Sequence, residues 1–219
     1  MGKMKATPKI YTDDYRLVMS WPRSNGPPKL HIYLNRRCGL TWPTANNPGY
    51  YCLMGLLDEP TLSSIRPLRL INEGEFTDTA RLWDRVTKVC KLMHCEWILA
   101  DLRDEFYGLQ LEFTNYVRRR RVEGLRLRDV SDISTFEMAR PLIARRADTD
   151  TLAIPKHTIL RKQLGMITPD DLRQVDYQQP EERFYAVHAL NHVVTSYHMY
   201  PWHKPKKPQW QMPRQGGYG

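Results

Sequence analysis

Residues 95 to 108 read CEWILADLRDEFYG, and the residue that could do chemistry there is Asp101. It follows at once on Trp97-Ile98-Leu99-Ala100, an apolar run with the character of a buried strand. A strand end delivers its side chain to the rim of a sheet, where a carboxylate can hold a hard cation through oxygen. The same Asp also suits the N-cap of the helical pattern that begins just after it. The residues alone leave both readings open. His188 and His192 are four apart and share one helix face. With a carboxylate beside them they suit zinc or a transition metal, and satisfied core histidines are the plainer alternative. Glu73 and Glu75 lie near the end of a strand pattern, as spare ligands or as solvated strand residues. Cys38, Cys52, Cys90 and Cys95 include no CxxC pair. The Cys90, His94, Cys95 group lacks a second ligand pair, so buried thiols are expected instead of zinc.

A second set of residues suits phosphate. Arg118, Arg119, Arg120 and Arg121 run consecutively, with Arg126 and Arg128 just beyond. On a helix such a run points in all directions, so two or three of the four can face one duplex, and each phosphate neutralised steepens the salt dependence of binding. A solvated helix end, where arginine complements the macrodipole, explains the run equally. The last stretch, PWHKPKKPQWQMPRQGGYG, places Lys204, Lys206, Lys207 and Arg214 beside Trp202, Trp210 and Tyr218. Aromatics among cations can stack on unpaired bases. The prolines favour a peptide that docks in a protein groove.

The formal charge of +9 and a pI near 9.4 favour an anionic partner, nucleic acid first and acidic membrane second; a basic, soluble surface is the simpler reading. No GxxxxGK[ST] phosphate loop is present, so no nucleotide-driven motor is expected, and neither a GxSxG elbow nor HExxH occurs. No apolar run of about 18 residues exists, so no membrane span is expected. MGKMKATPKI has no apolar core of a signal peptide, which points to a cytosolic or intracellular setting.

The positioning elements follow from pattern. Residues 1–29 form an N-terminal arm, 30–200 one α/β domain and 201–219 a disordered basic Pro/Trp tail. The 219 residues, 41% hydrophobic, suffice for one sizeable core. KLHIYLNRR, YYCLMGLL and IRPLRLINEGEF read as three consecutive strands, a meander, with CGLTWPTANNPG as the first loop. Leu82, Trp83, Val86, Val89, Cys90 and Met93 then mark one stripe of a helix capped by Thr77 or Asp78. EWILAD is a strand buried on both faces. Leu102, Phe106, Leu109, Phe113 and Val117 give a second helix, and VEGLRLRDV a fifth strand. A capping box at Ser134 opens a helix to about Arg146 that contains Pro141. TLAIP is a short extended piece, and HTILRKQLGMI a short helix. Thr168 to Asp171 caps another turn, and a largely apolar helix from Glu181 to Met199 closes the domain after Pro180.

That order, β-β-β-α-β-α-β followed by helices, resembles the ribonuclease H-like superfamily. KLHIYLNRRCG, RLWDRVTKVCKLMHCEWILAD, LAIPKHTILRKQL and PEERFYAVHALNHVVTSY are similar to segments of the nuclease domain of viral large terminases. The resemblance implies a mixed five-stranded sheet flanked by helices. It also implies carboxylates converging from the first strand, the fourth strand end and the closing helix, to hold two Mg²⁺ or Mn²⁺ ions. Asp101 falls where the second carboxylate belongs. The first position is Asn35, which offers one uncharged oxygen. The closing helix offers His188, Asn191 and His192, with Glu181 and Glu182 up to two turns earlier, so the implied metal set is Asp101, Asn35, Glu182 and His188. Asn35 is either a natural loss or an engineered change. Three functions follow. The first is a catalytically degenerate nucleic-acid-binding subunit of a viral or mobile-element assembly, with DNA favoured over RNA and other protein subunits as partners. The second is an active two-metal endonuclease using Asp101, Asn35 and His188. The third is a scaffold for an acidic protein.

Overall fold

The computed structural model describes residues 33–57, 65–103, 106–132, 136–167 and 183–201. The expected arm, the Thr168 to Asp171 turn, Glu181, Glu182, the Ser134 cap and the tail with Lys204, Lys206 and Lys207 lie outside them. Six strands form one sheet: β1 Tyr33–Thr41, β2 Gly49–Leu57, β3 Leu68–Phe76, β4 Trp97–Ala100, β5 Arg126–Asp129 and β6 Leu152–Ala153. Their spatial order is β5-β4-β1-β2-β3-β6. β1, β2 and β3 are an antiparallel meander, while β4 runs parallel to β1, β5 to β4 and β6 to β3. The five-strand expectation is corrected by β6. The TLAIP segment supplies it, with Leu152 and Ala153 pairing beside Leu68 and Arg69.

The helices are α1 Thr79–Leu92, α2 Tyr107–Arg120, α3 Phe136–Asp148, α4 Ile159–Met166 and α5 Tyr185–Met199. Period-two alternation divides the sheet cleanly. Tyr51 and Leu53 face one layer with Cys38, Leu40, Ile98 and Ala100, covered by Trp83 and Val86 of α1 and Phe113 of α2. Tyr50, Cys52, Met54 and Leu56 face the other, with Leu99, under α3, α4 and α5. Because both faces are covered, β2 is buried along its whole length, as its unbroken apolar run requires. Each fully buried Leu or Val in these layers contributes about 1.5–3 kcal/mol of transfer free energy. The helix α5 is buried from Ala186 to Tyr197.

The first strand is longer at its C-terminal end than the sequence suggests. Cys38 to Thr41, expected in the loop, complete β1. Gly39 there is not a turn residue. A Cβ on it would stand 2.0 Å from the carbonyl oxygen of Ala189, so glycine is what lets α5 lie directly on the sheet.

Candidate functional site

The registers fix which residues share a level. Gly39 pairs with Leu99, so the next level on that face joins Thr41 to Asp101. Thr41 pairs with Tyr50, and Tyr50 with Glu75. Asp101, Thr41, Tyr50 and Glu75 therefore form one row across the C-terminal ends of β1 and β4, on the face that carries α5.

In that row Asp101 is held locally. Its Oδ1 accepts from the backbone N–H of Arg103 at 3.0 Å and from Arg103 Nε at 3.2 Å, and its Oδ2 accepts from Arg103 Nη2 at 2.8 Å. Its carbonyl accepts from Trp42 Nε1 at 2.6 Å. Burial alone would raise the Asp101 carboxyl; the Arg103 hydrogen bonds and charge outweigh it, His188 adds to them, and the net shift is downward. The helix cap expected as the alternative does not form either, since α2 begins at Tyr107 and the carboxylate closes an Asx turn on Arg103.

The helix α5 brings His188 and His192 towards this end. Their ring centroids are 4.5 Å apart in an edge-to-face arrangement. Burial pushes His188 down to about 4, with Asp101 opposing and Arg103 adding to the shift. Burial, His188 and Arg103 all lower His192. Both imidazoles are therefore neutral near pH 7. Asn191 between them is buried, and neither end of its amide meets a hydrogen-bond partner among the described residues.

Asn35 is not part of this group. Extending the same register places it level with Cys95, six residues from the Asp101 level and about 20 Å along the strand. There its carbonyl accepts from Tyr197 Oη at 3.1 Å, near the other end of α5. The expected meeting of Asn35 with Asp101 is corrected accordingly. The closing helix reaches Asn35 through Tyr197 and carries His188 within electrostatic range of Asp101, nine residues apart on its own axis. Thr41 takes the β1 position beside Asp101, and its hydroxyl donates to the carbonyls of Tyr185 and Tyr50 at 3.3 and 3.4 Å.

Glu73 and Glu75 have other partners. Glu73 Oε1 accepts from the backbone N–H of Ile159 at 2.7 Å, and its Oε2 from Leu160 N–H at 3.2 Å and from Tyr50 Oη at 2.5 Å. It is an anion on the N-terminus of α4, beside the Thr158 cap. Glu75 accepts from Tyr185 Oη. Burial and Glu75 push that phenol up to about 12. The three-strand gap between Glu75 and Asp101 is about 14 Å.

A pair of Mg²⁺ or Mn²⁺ ions does not fit these donors. Such ions need several oxygen ligands each; of the two carboxylates in the row, Asp101 is engaged by a guanidinium, and Glu75 accepts from Tyr185 about 14 Å away. Among the described residues no three His, Cys, Asp or Glu side chains are grouped to hold a metal. Cys38, Cys90 and Cys95 are buried free thiols.

The arginines divide between the two faces. Arg118, Arg119 and Arg120 form the exposed last turn of α2, on the Phe113 side. Arg121 is the left-handed cap, with φ of 50°. Arg120 Nη2 stands 3.8 Å from Asp84. Arg126 and Arg128 lie on edge strand β5, level with Trp97 and Leu99 on the α5 face. Arg128 stacks on the Trp97 ring at 3.7 Å, and the buried Arg37 lies 4.6 Å from the same ring and 4.2 Å from that of Tyr197. Sequence reasoning misses Arg103, Thr41 and Arg37. Only Arg103 leaves a sequence signal, a base two residues after the strand-end acid.

No family model and no curated protein matches the chain. Solved structures do. The large terminase nuclease from thermophilic phage G20c with bound zinc is 12% identical, over 76% of this chain and 81% of that one, with a TM-score of 0.46. The large terminase nuclease domain from bacteriophage SPP1 with bound Mn is 13% identical over 73% and 86%, with a TM-score of 0.43. Thermus thermophilus RuvC is 13% identical over 76% and 97%, with a TM-score of 0.38. An antiparallel β1-β2-β3 meander, with β4 and β5 added in parallel on the far side of β1, agrees with the ribonuclease H-like strand order expected from the sequence.

Proposed function

We propose that this chain is a nucleic-acid-binding protein of ribonuclease H-like fold that holds its substrate without two-metal cleavage, with residues 30–200 as the binding domain and residues 201–219 as an additional contact. One observation carries the reading. At the sheet end where such a nuclease would need several carboxylates, Asp101 is the one present on β1, β4 and α5, and both its oxygens accept from Arg103. The binding half is supported by the +9 charge and by the exposed arginine turn of α2. DNA is the preferred partner, inside a viral or mobile-element assembly with other subunits.

Fluorescence anisotropy with a labelled 30-mer duplex, an RNA duplex and a single strand, each titrated at several KCl concentrations, tests the binding half. A steep fall of affinity with salt is expected, and a salt-independent or absent interaction would remove it. Incubation of the wild type and Asp101→Ala with plasmid and Mn²⁺ tests the other half. The expected result is no cleavage by either. Cleavage by the wild type that disappears in the variant would establish the endonuclease reading, in which Asp101 leaves Arg103 for a metal.

A further inference from the structure

At the far end of α5 from Asp101 a cleft of about 340 Å³ opens between the C-terminal turns of α3 and α5 and the chain leading into β3. Its floor is apolar, from Leu56, Leu142 and Val194 beside the Tyr197 ring. Its basic wall is Arg66, Arg145, Arg146 and His198, and no Asp or Glu lines it among the described residues. Arg146 is half-buried, and Nη1 donates to the Arg66 carbonyl at 3.0 Å. Burial pushes this guanidinium down to about 10, Tyr197 opposing and Arg145 reinforcing. No carboxylate pairs with Arg145, Arg146 or His198 among the described residues.

Two facts need a joint explanation. Arginine and histidine in the last turns of α3 and α5 suit the helix dipoles, which accounts for their position in sequence. It does not account for a half-buried guanidinium that lines a cavity with one carbonyl as its hydrogen-bond partner among the described residues, since a partly desolvated cation ordinarily has an anionic partner. The cavity volume lies within the range of small-molecule sites, and a planar guanidinium fork matches phosphate oxygens.

We infer that this cleft is a binding site for a phosphate monoester carried on an aromatic or apolar body. The phosphate lies against Arg146, Arg145 and His198, and the body covers Leu142 and Val194 beside Tyr197. Nucleoside monophosphates and the 5′-phosphorylated ends of strands share this chemistry. Nine residues of α5 separate Tyr197 from His188, about 14 Å, so the site is distinct from the Asp101 row.

Isothermal titration calorimetry of the full chain tests the site with four probes. These are adenosine 5′-monophosphate, adenosine, a 5′-phosphorylated trinucleotide and the same trinucleotide without its phosphate. At least one phosphorylated probe should bind about tenfold or more tightly than its unphosphorylated counterpart, and which one does identifies the source of the phosphate. Arg145→Gln and His198→Gln, both at exposed positions, should each weaken that binding about tenfold while circular dichroism melts stay unchanged. Absence of saturable binding by both phosphorylated probes overturns the inference, as does wild-type affinity in both variants. Duplex binding through α2 is measured separately, so its failure would leave this result intact.

Discussion

Arg103 grips Asp101 from two sides at once, its backbone N–H and Nε on Oδ1 and its Nη2 on Oδ2 at 2.8 Å. The pair is only two residues apart, so the geometry costs little chain entropy and is set by the turn after β4. The turn itself is tied to β5, because Asp129 Oδ1 accepts from Leu102 N–H at 3.2 Å and from Ser131 N–H at 3.0 Å. A carboxylate at a strand exit has thus become part of a loop brace.

Removing Arg103 should expose this role. Its side chain is 55% exposed, so solvent screening keeps the pair weak. Arg103→Met is expected to cost about 0.5–1 kcal/mol at pH 7. The folded carboxylate titrates below its ordinary value. Its contribution is therefore whole above that ordinary value, roughly pH 4, and is lost as pH falls through the folded value. Urea unfolding of wild type and variant from pH 7 to pH 2.5 should show two curves that converge at the acid end. In the variant, the Asp101 carboxyl resonance should titrate at a higher pH. Equal stability at pH 7, with the resonance unmoved, would separate the pair from the loop.

The histidines of α5 give a different pH window. His188 is held neutral in the fold, at about 4, and gains its proton near pH 6.5 when unfolded. The unfolded chain therefore binds more protons between those values, and stability must fall as pH drops from about 6.5 towards 4. The whole effect of one such group is roughly 3 kcal/mol, from 1.36 kcal/mol per pH unit. His192, also lowered, steepens the slope. Unfolding free energies at half-unit steps from pH 7.5 to 4 should follow this course, and His188→Gln should flatten it by about one proton. A flat profile for the wild type would mean that the rings are not buried as described.

Gly39 and Gly108 offer a matched pair. A methyl group on Gly39 would meet the Ala189 backbone carbonyl and Val193. Gly39→Ala should therefore lift α5 from β1 and cost about 3 kcal/mol or more, as overpacking against backbone does. Gly108, in the first turn of α2, has nothing within 4 Å. Gly108→Ala should stabilise by about 0.5–1 kcal/mol through helix propensity and reduced freedom of the unfolded chain. Thermal melts of the two variants should move in opposite directions. A harmless Gly39→Ala would contradict the direct seating of α5 on the sheet.

Gly39 also shows what the sequence conceals. The elements with strong periodicity, α1 with its Leu82 to Met93 stripe and the apolar runs of β2 and β4, are legible because burial alone dictates them. A glycine after Arg-Arg-Cys reads as a turn, and only the helix laid over it from 150 residues later explains it as strand. Sequence pattern draws Asn35 to the site for a related reason. Counting from an assumed strand start cannot fix register, and the pairing of Gly39 with Leu99 moves the β1 position to Thr41. Glu73 reads in sequence as a ligand or a solvated residue. The two N–H groups that occupy it belong to α4, whose approach follows from tertiary packing.

The division of the arginines leads to the last prediction. Arg118 and Arg119 are exposed at the end of α2 and have no ion-pair partner among the described residues. Arg120 is loosely attached to Asp84. Arg128 is half-buried and spends its planar face on Trp97. If phosphates are met on the α2 face, Arg118→Ala with Arg119→Ala should reduce the slope of log affinity against log salt by about 1.8 on duplex DNA, about 0.9 for each phosphate that is no longer neutralised. Arg128→Ala should leave that slope within error. It should instead lower stability by about 1 kcal/mol, because the stacked cation and the cover over Trp97 go together. Anisotropy across a KCl series and urea melts on the same preparations read both effects. A slope that falls with Arg128→Ala and holds with the α2 pair would move the nucleic acid to the β5 edge, on the face that carries α5.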